Sequence, residues 1–322
     1  MKVSVIIPVY KVAAYIERCV RSLMEQTLQD AEFIFVDDAS PDESMDIVRK
    51  VTAGYDRDVR ILVHESNKGL PAARNTGLAA ASGDYIFHCD SDDWMEGNML
   101  EELVSAAEQT GADYVYCNYY LDFGNGARMM QNPPFSTPKA IITDGFLSGA
   151  MKYNVWNKLV SRTCYDGISF PAGHSMGEDM TMIMLAARAK RVAFVDKALY
   201  HYSVTNQQAL SRSLSPEKLS DIRFNTERTL SFLQNIDLPG KDLGFNFYKL
   251  NIKLPFLFSG DKEQYRLWKQ WYPEANAFIM RNRMLPFRTR FVQLLASWGL
   301  FPLVNLYSWA VNKLFYGMKY GK

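Results

Sequence analysis

An α/β fold is the architecture this sequence predicts: a mostly parallel central sheet with helices on both faces, followed by a C-terminal helical region. Three observations carry it. Over roughly the first 120 residues, short apolar runs alternate with segments of helical period. Those runs end in Pro, Asp, Asn or Gly, the residues of turns. From about residue 215 onward the pattern is helical and rich in Leu, Phe, Tyr and Trp.

Val3 to Val9 is a β-branched run and reads as a buried parallel strand. Residues 13 to 27 are predicted helical, with Ile16, Val20, Leu23 and Met24 on one face. Glu32 to Val36 is a second strand, ending at Asp37 and Asp38, and residues 42 to 53 a second helix capped by Ser40 and Asp42. Val59 to Val63 is a third strand and Leu70 to Ala81 an Ala-rich helix. Asp84 to Cys89 is a fourth strand, residues 96 to 109 a helix, and Asp113 to Cys117 a further strand. Strands separated by helices of this length imply right-handed crossovers and a parallel sheet. Beyond residue 118, Tyr119 to Met130 reads as an antiparallel excursion through Gly124-Asn125-Gly126. The chain divides into residues 1–118, residues 119–210 on the same sheet, and a helical region over 211–322.

The 322 residues suffice for one large domain or two modest ones. A net charge of +1 argues against a nucleic-acid partner. The four cysteines form no C-x-x-C pair and lie in or beside apolar runs, so they read as reduced, buried thiols suited to a reducing compartment. The N-terminus enters a strand with no signal-peptide pattern, which sets the expected location as cytoplasmic.

In open α/β sheets, ligands bind beyond the carboxyl ends of the strands. Strand one delivers Pro8, Val9 and Tyr10 to that edge, and strand two delivers Asp37 and Asp38. Strand three delivers Asn67, Lys68 and Gly69, with Arg74 and Asn75 a turn into the next helix. Strand four delivers Asp90-Ser91-Asp92-Asp93. The spacing of Asp90 and Asp92 lets two carboxylates reach one centre, which suits a hard divalent cation completed by substrate phosphates. Capping of the following helix is the plainer alternative for these acids. Farther on, Gly173 and Gly177 flank a loop leading to Glu178-Asp179 at a helix start, where an acidic pair also has an ordinary helix-terminal reading.

These segments resemble the family 2 inverting glycosyltransferases. The likeness rests on Val3 to Tyr10, Phe35 to Asp42, Asn67 to Leu70 with Ala73-Arg74-Asn75, Gly83 to Phe87, and Asp90-Ser91-Asp92-Asp93-Trp94, over about 95 residues in the family's order. It continues in Val155-Trp156-Asn157-Lys158-Leu159, Gly177-Glu178-Asp179-Met180 and Leu199-Tyr200-His201-Tyr202. Relatives often carry an arginine and then a serine after that last segment. This chain has Ser203 and Gln207-Gln208, so no phosphate contact is assigned there.

The resemblance implies a GT-A fold and transfer of a sugar from a nucleotide-sugar donor to a saccharide or lipid-linked saccharide acceptor. It implies donor contacts by Pro8, Val9, Tyr10, Asp38, Asn67, Lys68, Gly69, Arg74, Asp90 and Ser91, with Asp38 accepting the N3–H of a uracil and Arg74 meeting the base or a phosphate. Asp92, helped by Asp90, would hold Mg²⁺ or Mn²⁺. Trp156, Asn157 and Lys158 would form the acceptor side. Asp179 would be the general base, with Glu178 its runner-up. Residues 1–118 become the donor half and 119–210 the acceptor half. His201 reads as a packed or hydrogen-bonded strand residue before a metal ligand, and His88 as core. Rival readings are a glycoside hydrolase, a nucleotidyltransferase, and a non-catalytic nucleotide-sugar-binding or scaffold protein of the same fold.

No acidic residue follows Glu274, whereas Arg281, Arg283, Arg288, Arg290, Lys313, Lys319 and Lys322 are basic. The 22 residues between Arg290 and Lys313 are uncharged and include Trp298, Phe301, Tyr307 and Trp309. Their number would span a bilayer, but Gln293, Gly299, Pro302 and Asn305 interrupt them. The preferred reading is two short helices broken near Pro302 at a membrane surface, peripheral at the inner face of the plasma membrane. A packing or homodimer surface is the alternative.

Overall fold

The computed structural model describes residues 1–206, 215–258 and 261–311. Gln207, Gln208, Lys313, Lys319 and Lys322, singled out above, lie outside the described residues. The chain forms two compact units, residues 1–140 with 153–236, and residues 141–152 with 237–322.

In the first unit, β1 (Val3–Val9), β2 (Ala31–Asp37), β3 (Asp58–Val63) and β4 (Tyr85–His88) pair in parallel in the order β3-β2-β1-β4. Helices α1 (Ile16–Met24), α2 (Ser44–Thr52) and α3 (Leu70–Ala80) connect them in sequence. β1 and β2 are buried along their whole length, which is why both read as near-continuous apolar runs. The polar residues within them are matched. Glu32, 1% exposed, accepts from Ser4 Oγ, Ser82 N and Ser82 Oγ at 2.5–2.8 Å.

Past β4 come β5 (Trp94–Met95), α4 (Met99–Thr110), β6 (Tyr114–Asp122) and β7 (Ala127–Met130). Gly111 ends α4 in the left-handed region at φ 64°. β6 and β7 pair antiparallel, Tyr119 opposite Met130, forming the excursion expected from the glycine-flanked turn. A helical turn, α5 (Pro138–Ala140), precedes β8 (Lys158–Ser161), α6 (Thr181–Arg188), β9 (Val192–Ser203) and α7 (Pro216–Gln234). Local pattern did not reveal two features. β8 inserts antiparallel between β4 and β6, and two-residue β5 caps the far edge on β9. β6 also runs to Asp122, five residues beyond its expected end, because β9 pairs with it in parallel over that stretch. The sheet is therefore mixed beyond β4, with β6 and β9 parallel to one another.

The second unit is helical. It holds α8 (Lys241–Lys253), α9 (Lys262–Gln270), α10 (Phe287–Ser297), α11 (Phe301–Val311) and a π-helical segment, Ile141–Leu147. Its core includes Tyr248, Leu257 and Trp268, each with no exposure. Lys253 is fully buried there, and its ammonium donates to Trp271 O (2.9 Å), Tyr272 O (3.2 Å) and Asn276 Oδ1 (2.7 Å). Burial holds its pKa down at about 8. All four cysteines are free and buried.

α3 lies close to the sheet because Gly77 faces Ile6: a Cβ there would sit 2.4 Å from Ile6 Cγ2. That approach sets how deep Arg74, on the same helix, can reach. Gly77→Ala must push helix and strand apart and should cost roughly 1–3 kcal/mol. A lower denaturant midpoint at unchanged slope is the expected readout; a midpoint equal to the parent's would refute the close packing.

Candidate active site

The strand ends meet as the alternation predicts, and the backbone there is strained. Lys11 after β1 and Ala39 after β2 hold φ of 54° and 57°. Lys11 N–H donates to Ser40 Oγ at 2.9 Å and Asp38 N–H to Val9 O at 3.0 Å, so the two turns are tied together. Pro8 and Val9 are buried, and Tyr10 is exposed at the rim. Asn67 and Lys68 are exposed beyond β3.

Asp38 is only 3% exposed and is occupied by protein donors. Its Oδ1 receives Lys68 N–H at 2.8 Å and faces His64 Nδ1 at 2.7 Å, and its Oδ2 receives Gly69 N–H at 2.8 Å. His64 Nε2 faces Thr76 Oγ1 at 2.8 Å, which orients the ring. Asp38 thus holds the 67–69 loop in place. Direct acceptance of a base N–H, expected from sequence, is not the use this structure makes of it. The strand-end His64 was the missed partner.

Arg74 also differs from expectation. It is 2% exposed, donating from Nη2 to Asp90 Oδ1 at 2.9 Å and from Nη1 to Glu178 Oε1 at 2.7 Å. Its guanidinium also lies 5.4 Å from the Phe170 ring centroid. Instead of reaching outward to a ligand, Arg74 bridges the acidic turn after β4 to the acidic pair ahead of α6. It so brings together segments 88 residues apart in sequence, Asp90 and Glu178.

The Asp90–Asp93 turn does not cap a helix, since α4 begins only at Met99 with Asn98 before it. Ser91 is buried. Asp93 is buried and accepts from Tyr200 Oη at 2.9 Å and Ser203 N–H at 2.7 Å. Tyr200 Oη in turn accepts from Asp90 N–H at 3.2 Å. Asp92 Oδ2 accepts from Asn206 Nδ2 at 2.8 Å. Burial, then the neighbouring carboxylate charges, push the pKa of Asp92 up and that of Asp93 well up. Asp92 also forms part of the wall of a cavity of about 670 Å³ lined by Arg18, Trp94, Asp122, Ser203 and Thr205. Tyr200 and Asn206, supplied by β9 and the residues after it, could not be assigned roles from spacing.

Glu178 is 7% exposed, and Asp179 is partly open to solvent. Burial pushes the Asp179 pKa up to about 8, helped by the Glu178 charge and opposed by Arg74. The loop carrying this pair is held at both ends. Asn75 Nδ2 donates to Phe170 O and Phe170 N–H to Asn75 Oδ1, each at 2.8 Å. From α7, Asn225 Nδ2 donates to Met176 O at 3.1 Å, and Asp221 Oδ1 faces His174 Nδ1 at 3.0 Å. Gly69 and Ser175 nearly touch, for a Cβ on Gly69 would sit 3.0 Å from Ser175 Oγ. The loops that carry Asp38's partners and Asp179 therefore abut.

Trp156, Asn157 and Lys158, expected to face an acceptor, are instead packed inside the sheet at 5%, 1% and 1% exposure. Trp156 stacks on Tyr200 at 4.6 Å between centroids, and Asn157 Nδ2 donates to Cys117 O at 2.9 Å. Lys158 Nζ donates to Asn154 O and Asn157 Oδ1 at 2.6 and 2.7 Å, and burial lowers its pKa to about 7. Of the three, Lys158 reaches the chemistry indirectly, its charge lowering the Asp179 pKa. His201 stacks on Trp94 at 3.4 Å and meets Glu96 Oε1 at 2.7 Å, a packed histidine. His88, 1% exposed, is core.

Among the described residues no group of three or more His, Cys, Asp or Glu side chains converges as a metal centre. The turn nevertheless fits a divalent cation. It presents hard oxygens from Asp90 and Asp92, with burial and the Asp90 charge raising the pKa of Asp92, and leaves the remaining positions for substrate phosphates.

The family model for glycosyl transferase family 2 matches residues 4–183 of the chain. A glycosyltransferase of Bacillus subtilis, EpsJ, is 31% identical over 80% of this chain and 77% of its own length. Among solved structures, residues 1–349 of S. aureus TarS in complex with UDP-GlcNAc superpose with a TM-score of 0.69 at 19% identity, over 99% of this chain and 92% of that one. The mannosyltransferase PcManGT from Pyrobaculum calidifontis, in complex with GDP-Man and Mn²⁺, superposes with a TM-score of 0.53 at 16% identity, over 98% and 87%. The strand-end acids, the bridge to the Glu178-Asp179 pair and these matches lead to one conclusion: this chain is a glycosyltransferase of GT-A fold, with a C-terminal helical region, and belongs to family 2.

Proposed function

We propose that the enzyme moves a sugar from a uridine diphosphate sugar to an acceptor hydroxyl in one inverting displacement. The observation that supports this reading is the Arg74 bridge, which ties Asp90 of the acidic turn to Glu178, the neighbour of Asp179. Residues 1–118 act as the donor half and 119–210 as the acceptor half. Tyr10, Asn67 and Lys68 form the exposed rim available to the nucleotide, on a loop held by Asp38. A uridine donor is supported by the UDP-GlcNAc complex of TarS.

Asp90 and Asp92 would hold Mg²⁺ or Mn²⁺, as the Mn²⁺ complex of PcManGT supports. Bound there, the cation would neutralise charge on the departing diphosphate. Arg74 keeps the Asp90 carboxylate aimed at that place, and Asn206 fixes one oxygen of Asp92. Asp179 takes the proton of the acceptor hydroxyl. Its raised pKa makes it a stronger base than an ordinary aspartate, and its partial opening lets an acceptor reach it. Attack opposite the diphosphate passes through an oxocarbenium-like state and inverts the anomeric centre. The acceptor is a saccharide or lipid-linked saccharide of cell-surface polysaccharide or glycolipid assembly, on the cytoplasmic side.

Four outcomes test this reading. Asp179→Asn should lower transfer by about 10²- to 10⁴-fold with donor affinity nearly unchanged by calorimetry; ordinary turnover in that variant removes Asp179 as the base. Because the base works only when ionised, kcat/KM should climb with pH toward about 8 and then level. A flat profile across that range would contradict the assignment. Asp92→Ala should weaken Mn²⁺-dependent donor binding by more than about ten-fold while metal-free binding holds, and equal titrations for parent and variant would exclude a metal role. Arg74→Gln leaves buried Glu178 and partly exposed Asp90 without their cation, a loss of about 3–5 kcal/mol in stability. It should also move the rising limb to higher pH, since Arg74 holds the Asp179 pKa down; a limb that moves lower, or not at all, contradicts the bridge.

A further inference from the structure

α10 and α11 bury one face each and leave a second apolar face uncovered. Val292, Leu295 and Ala296 point inward from α10, and Val304 from α11, all at 7% exposure or less. On the outside of α10, Phe287 and Phe291 are 60% and 40% exposed, and Trp298, one residue past the helix, is 63% exposed. They fall at helical spacing on one side. Across the turn, Leu300, Leu303 and Leu306 are 40–59% exposed. A folded chain rarely leaves so many large apolar side chains in water without something to cover them.

α9 supplies charge beside this row. Lys262, Arg266 and Lys269 are exposed and line, with Tyr265, Phe301, Pro302 and Asn305, a cavity of about 480 Å³. Tyr265 stacks on Phe301 at 4.3 Å, and Lys269 Nζ lies 5.1 Å from the Phe301 centroid. Lys269 Nζ would also stand 3.8 Å from a Cβ on Gly299, so the cations adjoin the Trp298–Leu300 turn. The sequence had pointed to basic residues from Arg281 onward. The fold adds an earlier set, on α9, and supplies a groove.

We propose that this face docks on an anionic bilayer, with α10 and α11 lying in the interface and the α9 groove taking lipid phosphates. α10 has 11 residues, about 16 Å of rise against a hydrocarbon core of about 30 Å. No described helix is long and apolar enough to cross a membrane. Exposed Trp and Phe beside Lys and Arg are the composition of an interfacial helix. A second copy fits less well, because a two-fold contact presents the same patch on both sides and brings like charges together. The inference stands apart from the transfer chemistry.

Flotation of the full chain with phosphatidylcholine vesicles, with and without phosphatidylglycerol, tests it. Binding should require the anionic lipid and fall with added salt. Replacing Lys262, Arg266 and Lys269 by Gln should weaken partition about five-fold for each cation removed. Replacing Trp298, Leu303 and Leu306 by Ser should abolish it, with thermal melting and donor hydrolysis at parental levels to show that fold and catalysis persist. Indifference to the anionic lipid, no flotation at all, or sedimentation of a dimer that shields this face in place of vesicle binding would each overturn the proposal.

Discussion

Arg74 is withdrawn from water with one terminal nitrogen on Asp90 and the other on Glu178, and the geometry of the site depends on that guanidinium. A buried charge is tolerated only when paired and hydrogen-bonded, and here one cation answers two acids from distant segments. Arginine suits the task because its planar fork presents several donors in fixed directions and does not lose its proton. The bridge also sets the charge around Asp179. That carboxyl feels Glu178 and Asp90 pushing its pKa up and Arg74 pulling it down, within a setting whose burial dominates.

The acids of the β4 turn are specialised by their neighbours. Asp93 is consumed by Tyr200 and Ser203 and anchors the turn to β9. Asp90 is spent in part on Arg74, and Asp92 has one oxygen on Asn206. Adjacent residues of one type thus take different structural partners. Rigidity around Asp179 follows the same logic. The 170–180 loop carries two glycines of positive φ, Gly173 and Gly177, yet α3 and α7 fasten it through Asn75, Asp221 and Asn225. Freedom in the backbone lets the loop take its path, and side-chain amides then fix it.

The strands β1 to β4 and the helices between them were readable because each is announced locally: an apolar run, a turn residue, a 3.6-residue period. Helix ends moved by a few residues, as terminal turns do. The antiparallel β6–β7 excursion was readable for the same reason, since its turn lies within the segment it closes. β8 and two-residue β5 were not, because an edge or inserted strand is defined by the neighbours it pairs with, here β4, β6 and β9. The segment Trp156 to Lys158 illustrates the limit within a motif. Its residue types suggest a ligand surface, and only the placement of β8 inside the sheet turns them inward.

The sequence by itself determined the fold class and the order of the strand-end residues, both properties carried by near neighbours along the chain. Tertiary structure decided what each side chain does. Asp38 steadies a loop about 30 residues away, and Arg74 reaches a carboxylate 104 residues on. Such partners are chosen by packing, in this case by α3 lying so close to β1 that Gly77 has room for no side chain, and spacing within a segment holds no record of that distance.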